Sequence, residues 1–190
     1  MNVEKKHLDT DVASQTFGAN DGWVQALTAP AHGDTAGQRN GNSIKLYSYQ
    51  ITGRITQQSS VQNALKGKIW LVAYEQTPDV PTLSEFLDAD GAGNYSSLSL
   101  RNPDKMGDFK VLAKKSFYCP QRAVTGLETD TTFSMFGKFY NLHQRFTGAA
   151  ASTITSNQLY LFFTIDDGTT AASTGAYIKG MKARINYIDN

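Results

Sequence analysis

Carboxylates, three histidines and one thiol are the groups in this chain that could carry chemistry, and their spacing decides how far each goes. The run Asp88-Ala89-Asp90-Gly91-Ala92-Gly93-Asn94 begins like a calcium loop. An EF-hand needs oxygen ligands at its fifth and twelfth positions, where this chain has Ala92 and Ser99. The run therefore reads as an exposed Gly/Asp loop. Asp166-Asp167, followed by Gly168, has two readings. The pair could supply carboxylates to a structural Ca²⁺ shared between subunits, or it could form a β-turn that uses Asp and Gly for their backbone preferences. His7, His32 and His143 are far apart, and no two stand at metal-ligand spacing. Cys119 reads as a buried thiol at a strand end, with no base placed beside it. The sequence contains no Gly-rich phosphate loop and no serine-elbow motif, so catalysis is not expected.

The basic residues are the remaining candidates. Lys5, Lys6, Arg39, Lys45, Arg54, Lys182 and Arg184 fall mostly on predicted strands. Each taken singly is a solvated surface charge. Together they could line a face for phosphate contacts. The net charge of +1, from 18 basic and 17 acidic residues, does not by itself announce a nucleic-acid binder. The single cysteine excludes an intrachain disulfide, and the chain is expected to be soluble and made in a reducing compartment. The first residues show no apolar core of signal-peptide length, and no apolar run approaches the length of a membrane span.

These side chains must be positioned by strands. With 16 glycines and abundant Thr, Ser, Tyr and Phe, the composition favours strands and turns over helices. A chain of 190 residues is expected to fold as one domain over residues 1–190 and to bury roughly 70% of its unfolded surface. Alternation and turn signals predict eight strands, at 3–16, 23–27, 43–57, 67–75, 109–119, 132–146, 159–165 and 176–189. The longest alternation follows the turn-rich hinge Gly37-Gln38-Arg39-Asn40-Gly41-Asn42. It places Ile44, Leu46, Ser48, Gln50 and Thr52 on one face and Lys45, Tyr47, Tyr49, Ile51 and Ile55 on the other. The fourth strand is apolar on both faces, as expected in mid-sheet. One short helix is expected after it, where Thr82 and Glu85 have capping-box spacing and Leu83, Phe86 and Leu87 share a face.

The first, third, sixth and eighth predicted strands are long and the others short. That division matches an all-β antiparallel jelly-roll sandwich of two four-stranded sheets, in which the long strands make one sheet and the short strands the other.

Several local patterns resemble the single-jelly-roll capsid proteins of small circular Rep-encoding single-stranded DNA viruses, and more distantly those of plant satellite viruses. The resemblance rests on Glu4-Lys5-Lys6-His7-Leu8-Asp9-Thr10 and on Gly33 through Gly37-Gln38-Arg39-Asn40-Gly41-Asn42-Ser43-Ile44. It continues with Ile69-Trp70-Leu71-Val72-Ala73-Tyr74, Pro81-Thr82-Leu83-Ser84-Glu85-Phe86-Leu87 and Phe109-Lys110-Val111-Leu112-Ala113-Lys114-Lys115. It implies self-assembly into a T=1-like icosahedral shell around a single-stranded DNA genome, with the protein located in the virion. The capsid proteins it resembles begin with an Arg/Lys-rich arm. Here only residues 1–2 are read as its remnant, so nucleic-acid binding is expected to be weak and non-specific. Arg39 becomes a candidate for an inter-subunit or nucleic-acid contact. Phe86, Leu87, Val124 and Leu127, in the long connections, are candidate interface anchors or core. A lectin or a cytokine-like trimer is the alternative, with Asp166, Asp167 and Tyr177 as its loose sugar-site candidates.

Overall fold

Ten strands form two antiparallel sheets in the computed structural model, which describes residues 5–12, 14–18, 22–35, 37–57, 64–75, 79–120, 129–166 and 174–189. The strands are β1 (Lys5–Val12), β2 (Gln15–Gly18), β3 (Gly22–Ala26), β4 (Ser43–Gln57), β5 (Leu65–Tyr74), β6 (Phe109–Cys119), β7 (Thr129–Phe146), β8 (Ile154–Ser156), β9 (Gln158–Asp166) and β10 (Thr174–Asp189). The first sheet runs β1-β10-β4-β7-β8, with β2 also paired to β10. The second runs β3-β9-β5-β6. The expected partition is present, with β1, β10, β4 and β7 in one sheet and β3, β9, β5 and β6 in the other. This is the order of a jelly roll.

The count of eight is corrected in two places. The first expected strand is divided into β1 and β2, which pair with different stretches of β10. The stretch 147–158, between the sixth and seventh expected strands, contributes β8, a short strand on the end of β7. The face assignment of β4 is also corrected. Ile44 and Leu46 are buried, and so are Ile51 and Ile55, which the alternation had put on the opposite face. The ladder slips between Leu46 and Ser48 against both β10 and β7, so Tyr47 is the extra residue of a β-bulge. Beyond it the inward phase changes from even to odd numbers. The neighbouring strand β7 changes phase at the same level. Phe133, Met135 and Phe139 point inward before it, and Leu142, Gln144 and Phe146 after it, with Asn141 at φ 51° in between.

The sandwich core joins the inner faces of both sheets, with Ile44, Ile51, Ile55, Phe133, Phe163 and Met181 among its members. Two cross-strand pairs fill it by laying an aromatic ring over a glycine. Phe133 lies over Gly53, where a Cβ would come within 2.6 Å of the ring, and Tyr49 lies over Gly137.

A second apolar cluster covers the outer face of the β3-β9-β5-β6 sheet. Trp70, Val72 and Tyr74 of β5 and Tyr160 and Phe162 of β9 meet Phe86 and Leu87, with Phe86 in the helix α1 (Leu83–Phe86). The Glu85 carboxylate accepts the Thr82 backbone N–H at 2.7 Å, which fixes the first turn of this short helix. Apolar layers on both sides explain why β5 and β9 read as unbroken hydrophobic runs.

Gly67 of β5 tests the closeness of the packing. A Cβ there would meet the Phe117 ring and would lie 2.6 Å from the Thr164 carbonyl oxygen, a backbone atom that cannot rotate away. Gly67→Ala is expected to destabilise the fold by about 1–3 kcal/mol, read as a lower midpoint in urea unfolding at unchanged slope. A midpoint equal to wild type would show that the β9-β5-β6 sheet has slack that this packing denies.

Candidate assembly surfaces

The predicted basic residues divide into three groups. Arg54, Lys182 and Arg184 point outward from the long-strand sheet, and each meets an aspartate. Arg184 donates two hydrogen bonds to Asp9, at 2.7 and 2.6 Å. Lys182 lies 3.4 Å from Asp11, and Arg54 lies 3.2 Å from Asp130. Lys5 and Lys45 stand toward the other end of the same face, with Lys5 Nζ 5.0 Å from the Tyr47 ring centroid.

Lys6 and Arg39 are buried instead, which corrects their assignment to a phosphate-binding face. Lys6 pairs with Asp189 at 3.2 Å on the inner side of β1. Arg39 is fully enclosed. Its guanidinium donates to the carbonyls of Pro30 (3.2 Å), Gly41 and Gly148, and its centre lies 3.9 Å over the Phe146 ring. Burial lowers its pKa from the ordinary guanidinium value, and Asp189 opposes that effect. A planar cation with several fixed donors suits this position, because it ties the loop before β4 to the turn after β7. It leaves no surface to meet nucleic acid or a neighbouring subunit.

Phe86 and Leu87 are also core, at 1% exposure each, which corrects their reading as interface anchors. Val124, Leu127 and Asp167 lie outside the described residues, as does the side chain of Tyr177. Asp166 accepts a hydrogen bond from the Ser97 hydroxyl at 3.4 Å and stands opposite Lys66 in the β5–β9 ladder. Among the described residues, no group of three or more His, Cys, Asp or Glu side chains gathers where it could hold a metal ion. Cys119 is buried, and desolvation pushes its thiol up, with a Thr131 hydrogen bond opposing. No described helix is long and apolar enough to cross a membrane.

Sequence reasoning missed two surfaces. The first is an outward strip on β7, where Phe136 is 80% and Tyr140 86% exposed, with exposed Lys138 between them. The alternation of β7 held the signal for it. Phe133, Met135 and Phe139 take the core face up to the phase change, so Phe136 and Tyr140 must point to solvent. Beside the strip, a hollow of about 730 Å³ is lined by Asp11, Thr52, Arg54, Ser134 and Lys182.

The second surface is the corner built from α1 and the 3-10 turn Pro103–Asp108, over the outer face of the short-strand sheet. Leu100 is 76%, Val80 67% and Met106 49% exposed there. The corner is laced to itself. Asp88 N–H donates to the Leu100 carbonyl, Asn102 Nδ2 to the Ser84 carbonyl, and the Arg101 guanidinium to the carbonyls of Met106 and Phe109. Single exposed apolar residues are ordinary, but several large ones on each of two separate faces make those faces candidates for contact.

No family model matches the chain, and no curated protein matches it in sequence. Among solved structures it is similar to a chain of Desmodium yellow mottle tymovirus, at 10% identity over 99% of this chain and 87% of that one, with a TM-score of 0.39. It is also similar to the T13 viral particle of infectious bursal disease virus, at 8% identity over 97% and 34%, with a TM-score of 0.37. A third likeness is to the human polyomavirus 7 VP1 pentamer, at 10% identity over 97% and 94%, with a TM-score of 0.35. Scores of this size do not establish a shared fold, and the jelly-roll assignment stands on the strand order above.

Two predictions follow from the charged groups. Arg39→Ala should cost about 3–4 kcal/mol, because it strands buried carbonyls. Arg39→Lys should recover little of that, since one ammonium cannot reach all three acceptors. Chemical unfolding reads both, and a lysine variant of wild-type stability would refute the tie. The second prediction concerns Asp9, whose carboxyl the Arg184 hydrogen bonds hold below the ordinary aspartate range. A carboxyl depressed in the folded state stabilises above its unfolded pKa of about 3.9 and loses that contribution as pH falls through the folded value. Asp9→Asn should therefore be less stable than wild type at neutral pH, with the gap closing in acid. A gap unchanged at about pH 2 would rule out the ion pair as its cause.

Proposed function

We propose that this chain is a viral capsid protein that self-assembles into an icosahedral shell, T=1-like with about 60 copies, around a small single-stranded DNA genome. Its place is the virion, reached after assembly in the host nucleus or cytoplasm. The observation that carries the reading is the jelly-roll strand order combined with large apolar side chains exposed on both outer faces of one sandwich. A fold alone does not define a function. Phe136 and Tyr140 on one face and Val80, Leu100 and Met106 on the other give a single domain two surfaces to cover, and further copies of the same chain would cover both. The resemblance of its motifs to single-stranded DNA virus capsid proteins points the same way.

Nucleic acid would be held weakly and without sequence preference, because three of the outward cations already face aspartates. A structural Ca²⁺ at subunit contacts near Asp166 and Asp167 would belong to the assembled shell. The second reading, a jelly-roll lectin, draws on the hollow beside β7, where carboxylate, hydroxyl and guanidinium groups stand together near an exposed aromatic ring.

Sedimentation and negative-stain electron microscopy of the purified chain separate the two readings. Closed particles of uniform diameter are expected on screening salt and pH. A chain that stays monomeric or trimeric in all conditions and binds glycans would replace the capsid reading with the lectin.

A further inference from the structure

The two missed surfaces lie on opposite faces of the sandwich, and the segments that form them carry opposite net charge. The β7 strip belongs to the outer face of the long-strand sheet, and α1 packs on the outer face of the short-strand sheet. Along the long-strand sheet the charges are unevenly neutralised. Arg184, Lys182 and Arg54 have aspartate partners. Lys138 and, toward the end of the sheet beyond Tyr140, Lys5 and Lys45 have no carboxylate partner among the described residues. The strip Phe136–Lys138–Tyr140, about 13 Å long, is therefore aromatic and cationic.

The corner is its complement. Residues 79–108 hold six carboxylates against two cations, a net of −4. Both of those cations are engaged locally, Arg101 with backbone carbonyls and Lys105 with Asp108 at 3.9 Å. Asp79 precedes Val80, Asp88 meets Leu100 through its backbone N–H, and Asp104 shares the 3-10 turn with Met106, all three carboxylates being exposed; Lys68 and Lys114 of the sheet below stand on the other side of Leu100.

We propose that the α1 corner of one copy seats on the Phe136–Lys138–Tyr140 strip of the next copy, a head-to-tail contact between a carboxylate-rimmed apolar patch and an aromatic-cationic one. The contact rests on the self-assembly reading and specifies its surfaces. Because the two patches are on opposite faces, one pair of copies cannot satisfy both at once. The contact is heterologous and must continue from copy to copy until rotation closes a ring. Apolar side chains supply the contact area, and charge decides which face meets which.

The test uses two variants of the whole chain, both altered only at exposed positions: Phe136→Ser with Tyr140→Ser, and Leu100→Ser with Met106→Ser. Each alone should sediment as a monomer where wild type assembles. Mixed in equal amounts they should give dimers, since each retains the patch the other lost. Neither can extend the contact, so growth stops at two. The mixed dimer would also show that both variants are folded. As a milder probe, Lys138→Glu should raise the protein concentration needed for assembly at least tenfold at low salt.

Several results overturn the contact. They are wild-type-like assembly of either double variant, a mixture that stays monomeric while K138E assembles normally, or an F136S/Y140S shell that forms normally but no longer protects a single-stranded DNA oligonucleotide. The last would assign the strip to nucleic acid. A wild-type chain that never assembles removes the capsid reading itself, whereas assembling variants beside an assembling wild type remove only this contact.

Discussion

The coordinated phase change in β4 and β7, beside a β10 that keeps one inward parity from Met181 to Tyr187, is the constraint on which the rest of the long-strand sheet depends. A strand of 15 residues paired to strands of 16 and 18 cannot keep strict alternation and a continuous core if the sequence changes parity midway. The extra residue at Tyr47 absorbs the change in β4, and β7 makes its own change around Asn141, whose left-handed backbone a short amide side chain tolerates. Without the paired irregularity, either Ile44 and Leu46 or Ile51 and Ile55 would face water. Its position also decides the outer face. Phe136, Lys138 and Tyr140 point outward because the inward set before the change is Phe133, Met135 and Phe139.

The second sheet is organised differently, because apolar layers cover both of its faces. Phe86 lies within 5.3 Å of the Phe109 ring and 4.4 Å of the Phe162 ring, measured between centroids, and it crosses Trp70 edge-on. This aromatic cluster anchors the connection between β5 and β6, so the loop becomes a fixed layer that can present Val80, Leu100 and Met106 in definite places. The guanidinium of Arg39 does the same for the loop before β4 with backbone acceptors instead of rings. In both cases the side chain that gave a loop its functional appearance in the sequence is the one holding that loop to the body.

The partition of strands between sheets was legible because strand length and hydrophobic parity are written locally. The division of β1 from β2, the added β8 and the parity change in β4 were not, since each depends on what the partner strand does at that level. Burial of single residues was hardest to read. Arg39 sits among Gly and Asn in a stretch with every mark of an exposed turn, and only the carbonyls of Pro30 and Gly148, distant in sequence, turn it inward. Phe86 and Leu87 could be core or contact by type. The outer apolar face of β5 decides it, and a strand apolar on both sides was the available hint that something had to cover it. The exposed strip on β7 was readable in principle, because a strand with aromatics of both parities must show one set to solvent.

Carboxylate placement gives the long-strand sheet a direction. Asp9, Asp11 and Asp130 neutralise one end of its outer face, while Lys5 and Lys45 at the other end have no carboxylate partner among the described residues. Exposed Phe136 and Tyr140 on an evenly neutral face would stick to any apolar surface, including the same face of another copy. Lys138 between the rings, with no carboxylate partner among the described residues, disfavours strip on strip, and the exposed Asp79, Asp88 and Asp104 disfavour corner on corner, less strongly at Leu100, where Lys68 and Lys114 stand close. Strip on corner is then the one pairing among the three in which charge and apolar area agree. Specificity of that kind comes from what is disfavoured as much as from what is bound, and here opposite charge on opposite faces of one sandwich would be enough to set the direction in which copies add.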